Sequence, residues 1–163
     1  RSTASTGSSA CNHNKKADSK VKIIMAVDFG DARTGLAVSD AAGLMAHGAG
    51  CIKSNGFKTV AEAVAREAAA RGAELIVVGN PINMNGSEGP RSQKCREFAA
   101  MLGEISGIPV ELFDERLTTV SAHRFLSDTN VRGAKRKSVV DELSATLILE
   151  NYMEKAKNVG ELS

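Results

Sequence analysis

The sequence predicts an α/β domain: a mixed five-stranded sheet, an antiparallel meander joined to parallel strands, flanked by helices. Three observations predict it. Short β-branched runs at Ile23–Val27, Leu75–Val78 and Val110–Phe113 are nearly all apolar, the pattern of strands covered on both faces. Ala-rich segments with apolar residues at helical spacing separate the last two runs from what precedes them. Two further β-like runs follow the first strand through connections too short for a crossover, which makes them antiparallel to it.

The 163 residues suit one domain with a sizeable core, and 42% hydrophobic with 25% charged residues is ordinary for a globular chain. No apolar run approaches the roughly 20 residues of a membrane helix. Net charge is only +2. Much of the positive excess lies in residues 1–20, where Arg1, Lys15, Lys16 and Lys20 face only Asp18. Nucleic-acid contact must therefore come from local patches rather than from the field of the whole molecule. Cys11, Cys51 and Cys95 are odd in number and widely spaced, which argues for reduced thiols in a cytosol-like compartment and against structural zinc.

Residues 1–20 are Ser-, Thr- and Asn-rich, lack large apolar side chains and are expected to be a disordered tail. Ser-rich, basic and acid-poor also describes a transit-peptide remnant, which would place the protein in an organelle stroma or matrix; a tag or a plain tail fits equally. The folded domain spans 21–157, and 158–163 is expected to be a flexible end.

The first strand stops at Asp28, a carboxylate at the carboxyl end of a central strand, where open α/β sheets bind ligands. Asp28 could equally start the turn bracketed by Gly30 and Gly35. Leu36–Val38 and Ala46–Ile52 complete the meander. A helix is expected from about Thr59 to Arg71, with Val60, Val64 and Ala68 inward and Gly72 just past its end. After Leu75–Val78 comes a Gly/Pro-rich loop, Gly79 to Pro90, long enough to suggest function. The next helix, about Arg91 to Ser106, carries Cys95, Phe98, Ala99, Leu102 and Ile105 on one face. Val110–Phe113 reads as a third buried strand ending in Asp114 and Glu115. A short helix is expected from Thr119 to about Ser127. Asp128–Lys137, with Arg132, Lys135, Arg136 and Lys137, reads as a solvated, mobile basic loop. Ser138 opens the last helix, Val139 to about Lys155, with Val140, Leu143, Leu147 and Leu149 as buried candidates.

Right-handed crossovers put the ends of the parallel strands on one edge. Asp28 and the Asp114/Glu115 pair then converge there, and the last helix can bring Asp141 over the same edge. Carboxylates crowded together repel unless cations neutralise them, and hard oxygen donors suit Mg²⁺ or Mn²⁺. Two such ions about 3.5–4 Å apart can hold a phosphodiester and activate water. Each acid has a plainer role: Ser138-x-x-Asp141 fits a capping box, and Asp114 and Glu115 could pair with Arg116. Adjacent strand residues point to opposite faces, so at most one of Asp114 and Glu115 should ligate; the two are kept as a pair, with Glu115 the candidate partner of Arg116. His13, His47 and His123 share no ligand spacing and read as surface or packing residues, His123 being a distant candidate for a proton shuttle.

With these residues in hand, the sequence resembles the YqgF/RuvX family of Holliday-junction-resolvase-like proteins, also described as pre-16S rRNA nucleases. The resemblance covers about Ile23 to Met153. It rests on Asp28-x-Gly30-x-x-Arg33-x-Gly35-x-Ala37, Ile76–Pro81, Asn83–Pro90, Asp114–Thr119 and Lys137-x-x-Val140-Asp141. It implies an RNase H-like fold and a metal-dependent nuclease using Mg²⁺ or Mn²⁺. Asp28, the Asp114/Glu115 site and Asp141 would be the catalytic, metal-binding acids. Three residues depart from the family pattern: Asn80 stands where Leu is usual, Asn85 for an Asp, and Asp31 for a Thr or similar residue. Asp31 is expected to add negative charge near Asp28. Arg33, Arg116, Arg132, Lys135, Arg136 and Lys137 would position phosphates without reading sequence.

The leading expectation is endonucleolytic hydrolysis of structured nucleic acid, either a rRNA precursor or branched DNA, by a protein with no membrane association that could act as a homodimer. A non-catalytic nucleic-acid or ribosome-associated module would bind without its acids or divalent ions. An ATP-dependent phosphotransferase shares a comparable D-x-G turn but needs a second domain to clamp nucleotide.

Overall fold

The computed structural model describes residues 22–117 and 134–159. The chain runs β1 (Ile24–Phe29), β2 (Arg33–Ser39), β3 (Ala46–Lys53), α1 (Phe57–Ala70), β4 (Leu75–Asn80), α2 (Pro90–Ser106), β5 (Val110–Asp114), a single 3₁₀ turn (Glu115–Leu117) and α3 (Ala134–Val159). The strands form one sheet in the order β3-β2-β1-β4-β5. β1, β2 and β3 are an antiparallel meander, with an irregularity between Leu36 and Ala37. β4 lies parallel to β1, and β5 parallel to β4.

Period-two alternation divides the sheet into two cores. Met25, Val27, Phe29, Ile76 and Val78 pack against Val60, Val64, Cys95, Phe98 and Leu102 of α1 and α2. Phe29 stacks on Phe98 with ring centroids 4.3 Å apart. Ile24, Ala26, Ala37, Val77 and Phe113 face Ala145, Ile148, Leu149 and Met153 of α3. Full burial of each large aliphatic side chain contributes about 1.5–3 kcal/mol, so both layers are firmly held to the central strands.

Several expectations change. β5 is an edge strand rather than a buried one, with Glu111 and Leu112 exposed. Its apolar run answers to one covered face and one open edge. Ile105, at the far end of α2, is also exposed, while Ser92 near its start is fully buried. In α3 the core residues are Ala145, Ile148, Leu149, Met153 and Ala156; Val140, Leu143 and Leu147 lie only half inside.

The largest change is the start of α3. Ala134, Lys135, Arg136 and Lys137 already belong to the helix. These residue types are strong helix formers, so the charged run extends the helix where a loop was expected. Ser138 therefore lies inside the helix rather than at its start, so it does not hold the N-cap position that a capping-box role for Asp141 requires. The helix also runs past Lys155 to Val159. The proposed helix at Thr119–Ser127, Arg132, His13, His123, Cys11 and the tail 1–20 lie outside the described residues. Among the described residues no helix is long and apolar enough to cross a membrane.

Candidate active site

Because β1, β4 and β5 are parallel, their carboxyl ends share one edge of the sheet. Asp28 lies on the α3 side of β1, in step with Ile24 and Ala26. Across the meander it pairs with Gly35, and Gly35 pairs with Cys51. Gly35 has no side chain, and a Cβ placed there would run into the Asp141 carbonyl. The backbone of α3 thus rests directly on β2, and this close approach carries Asp141 to the neighbourhood of Asp28. The Cys51 thiol lies 3.9 Å from Asp141 Oδ2 and donates to it. Burial, and then the Asp141 charge, push the Cys51 thiol above its ordinary pKa, so it remains a donor at neutral pH.

A second glycine admits the third acid. A Cβ at Gly79 of β4 would lie 2.6 Å from Glu115 Oε1 and 2.6 Å from Ile148 Cδ1. The missing side chain leaves a slot over β4 in which the Glu115 carboxylate lies, on the same side of the sheet as Asp28. Burial raises the Asp28 carboxyl above its ordinary pKa; Arg91 opposes this and Asp141 adds to it. Glu115 rises to about 7, first from burial and then from the Asp28 charge, again with Arg91 opposing. Asp28, Glu115 and Asp141, from three separate segments, thus share one sheet edge, and Asp28 is coupled to each of the other two.

Asp114 adds to the upward shift of Glu115, but its own carboxylate is held by a cation. The Arg116 amide donates to its Oδ1 at 2.9 Å, and the Arg116 guanidinium grips the carboxylate at 2.7–3.1 Å. Those bonds, the guanidinium ones foremost, hold Asp114 below the usual carboxylate range. The expected Glu115–Arg116 pairing is therefore replaced by Asp114–Arg116. Asp114 still belongs to β5, whereas Glu115 starts the 3₁₀ turn, so the two side chains leave the strand in different directions.

Among the basic candidates, Arg33 opens β2 at this edge, with a buried Nη1 that has no hydrogen-bond partner among the described residues. Arg116 is exposed beside Asp114. Lys135, Arg136 and Lys137 fall in the opening turns of α3, upstream of Asp141. The charge expected from Asp31 is offset, since Lys94 Nζ lies 3.1 Å from its Oδ1. His47 is exposed on β3, away from the acids. Sequence reasoning left out Arg91, the cation that opposes the upward shifts of both Asp28 and Glu115. Its signal was its place directly after Gly89-Pro90, at the opening of α2. That opening is tied to the end of β4 by a buried bond from Ser92 Oγ to Asn80 Oδ1, 2.7 Å long. Gly35 was legible as a glycine that lets another group approach the backbone, whereas Gly79 was read only as part of a loop.

Among the described residues, no three His, Cys, Asp or Glu side chains already stand at the separations of a closed metal site. Ligation would require the acids to turn inward from their present rotamers. The donor chemistry nevertheless fits a hard divalent cation: the acids offer only oxygen, and two of them are held in proton-retaining surroundings that positive charge would relieve.

Comparison with known proteins gives a consistent picture. The family described as RuvX: Holliday junction resolvase matches residues 22–155. A Thermoanaerobacter pseudethanolicus protein named "Putative pre-16S rRNA nuclease" is 43% identical over 136 residues, 83% of this chain and 98% of its own. A Myxococcus xanthus protein of the same name is 40% identical over 130 residues, 80% of this chain and 86% of its own. Among solved structures, Thermus thermophilus RuvC in complex with a Holliday junction substrate aligns with a TM-score of 0.56 at 13% identity, over 83% of this chain and 96% of that one. Fowlpox virus resolvase bound to Holliday junction DNA aligns at 0.50 and 16% identity, over 82% and 97% of the two chains. At such identities the structural likeness speaks for the fold alone, which is RNase H-like.

Proposed function

Since this chain belongs to the RuvX family of Holliday junction resolvases, and is a nuclease by that membership, we propose that it hydrolyses phosphodiester bonds within structured nucleic acid at the edge shared by Asp28, Glu115 and Asp141. One observation carries the reading: two side-chain-free strand positions, Gly35 and Gly79, are filled by the Asp141 backbone and the Glu115 carboxylate. Nothing in a purely structural sheet requires acids to be admitted this closely to a third, half-buried acid.

In this reading Asp28, Glu115 and Asp141 hold divalent cations, Mg²⁺ or Mn²⁺, which when bound polarise the phosphodiester and lower the pKa of the attacking water. Asp28 is the shared centre, the acid coupled to both others. Glu115, whose proton affinity burial raises, would have to give up that proton to hold a cation. The Cys51 thiol orients the Asp141 carboxylate. Arg91 balances the acids in the free enzyme, and Arg33, Arg116 and the basic start of α3 contact phosphates without reading bases. Asp114 serves by fixing Arg116 rather than as a ligand. Both substrates named for the relatives, precursor 16S rRNA and the Holliday junction, are folded nucleic acids with exposed discontinuities, and the site would act on that class in the cytoplasm or an organelle interior.

The test is cleavage of a four-way DNA junction and of precursor rRNA in Mg²⁺ by the full chain and by Asp28→Asn. The wild type should cut at least one substrate, and the variant should lose about 100-fold or more, roughly 3 kcal/mol of barrier. Purified Asp28→Asn with undiminished activity would overturn the proposal. Nucleic-acid binding that needs neither divalent ions nor the acids, with no cleavage, would identify a binding module instead.

A further inference from the structure

The loop between β4 and α2 contains an apolar side chain that no fold requirement explains. Met84 is 94% exposed, the most open of the exposed large apolar residues among those described. The loop around it is built with care. Ile82 and Glu88 form an antiparallel bridge, the Asn83 amide donates to the Ser87 carbonyl at 3.0 Å, and the Gly86 amide donates to the Asn83 carbonyl at 2.8 Å. Asn85 Oδ1 accepts from the Ser87 amide at 2.9 Å, and Asn83 Nδ2 donates to Ser87 Oγ at 3.1 Å. Gly86 takes the left-handed φ of 82° that closes the turn. Below the tip, Glu88 pairs with Arg96, and the Asn80–Ser92 bond locks the base of the loop.

This small hairpin also has a defined place. A Cβ on Gly86 would sit 3.6 Å from Arg116 Nη1, so the tip leans on the arginine that follows Glu115. The tip residues Asn83, Asn85 and Ser87 are uncharged, and the two acids next to the loop, Glu88 and Asp114, are each paired with an arginine. Leu44 and Met45, the other strongly exposed apolar pair, lie in the β2–β3 connection at the opposite edge of the sheet, so Met84 is not part of an apolar patch of protein-interface size.

We propose that residues 82–88 are a preshaped probe, with Met84 an apolar wedge that enters an open base step of distorted nucleic acid beside the acidic edge. The inference rests on the nuclease reading above and names how that site selects its substrate. Apolar side chains of this kind can occupy a step between bases where stacking is already broken, and the unstacking that costs a few kcal/mol in an intact duplex has been done beforehand at a branch or a stem end. Because the loop's own hydrogen bonds fix it in advance, little ordering entropy is lost on insertion. Selection of branched or frayed structure over plain duplex follows, with no base sequence read.

The experiment uses the full chain in Ca²⁺, with 2-aminopurine placed at the open step of a DNA four-way junction and of an RNA stem with an unpaired flank, each compared with a fully paired duplex. Wild type should brighten the probe at the open step and prefer the distorted substrate. Met84→Ala should lose that brightening and reduce the preference at least about fivefold, near 1 kcal/mol, with duplex affinity unchanged. Met84→Leu should restore most of both. An exposed residue poses no folding risk, so a null result is interpretable. Met84→Ala with unchanged brightening and preference overturns the wedge while leaving the nuclease reading intact. Equal loss on duplex and distorted substrates also overturns it, as a non-selective contact. A wild type that binds neither substrate removes both readings together.

Discussion

Replacing Glu115 by Gln isolates the electrostatic stress at the sheet edge. Glu115 has an ordinary pKa of 4.5 and titrates at about 7 in the fold, first because it is buried and then because Asp28 is charged nearby. The folded state therefore keeps a proton that the unfolded chain has lost, and between those two values stability falls as pH rises. At about 1.4 kcal/mol per pH unit the full displacement is roughly 3 kcal/mol. Partial exposure of the side chain and solvent screening reduce this to about 1–2 kcal/mol. Glutamine imitates the protonated form at every pH. In EDTA, Glu115→Gln should be close to wild type at pH 5 and more stable by about 1–2 kcal/mol at pH 8, or a few degrees in Tm. Adding Mg²⁺ at pH 8 should raise the Tm of the wild type more than that of the variant, because glutamine removes one of the three carboxylates that offer the cation a charge. Urea unfolding across pH 5–8, with and without Mg²⁺, reads both effects. A variant equal to or less stable than wild type at pH 8 in EDTA would refute the reasoning.

Three further changes test neighbouring links. Gly35→Ala puts a Cβ into the Asp141 carbonyl; displacing α3 should cost about 1–3 kcal/mol in chemical denaturation and weaken Mg²⁺ binding, whereas a stable protein with normal Mg²⁺ affinity would contradict the close-approach argument. Asp114→Asn should keep Mg²⁺ affinity within about threefold, under 1 kcal/mol, while loosening Arg116 and increasing KM for nucleic acid; loss of metal binding would return Asp114 to the ligand set. Ser92→Ala strands the buried Asn80 amide group and should cost about 1–3 kcal/mol, whereas Asn80→Leu combined with Ser92→Ala, which removes both polar groups, should recover most of it. Equal stabilities for the single and double variants, measured by thermal unfolding, would mean that the bond does not anchor the loop.

Much of the fold was legible because its signals are local. Continuous apolar runs marked β1 and β4, and Val60, Val64 and Ala68 marked the buried face of α1. Short connections gave the meander its antiparallel sense. The start of α3 was misread because charge density suggested a loop, while Ala134 to Lys137 have the helix propensity to extend the element. β5 was misread because an apolar run does not say which of its faces is covered. In the candidate site, the convergence of Asp28 and Asp141 was legible from strand-end and helix positions, but the difference in surroundings between Asp114 and Glu115 was not. It depends on where β5 gives way to the 3₁₀ turn and on which acid Arg116 reaches, two facts of tertiary geometry. Gly35 and Gly79 show the same limit: a glycine in a strand announces a close approach, and only the packed structure says what approaches.

The central claim is that Asp28, Glu115 and Asp141 together create a divalent-cation site, and direct ion binding tests it without reference to substrate. Mn²⁺ titrated into the full chain and followed by its paramagnetic resonance signal should bind at one or two sites. Binding should disappear in Asp28→Asn and Asp141→Asn and persist in Asp114→Asn. A wild type that takes up no ion, or an Asp28→Asn variant that binds as tightly as wild type, would contradict the account.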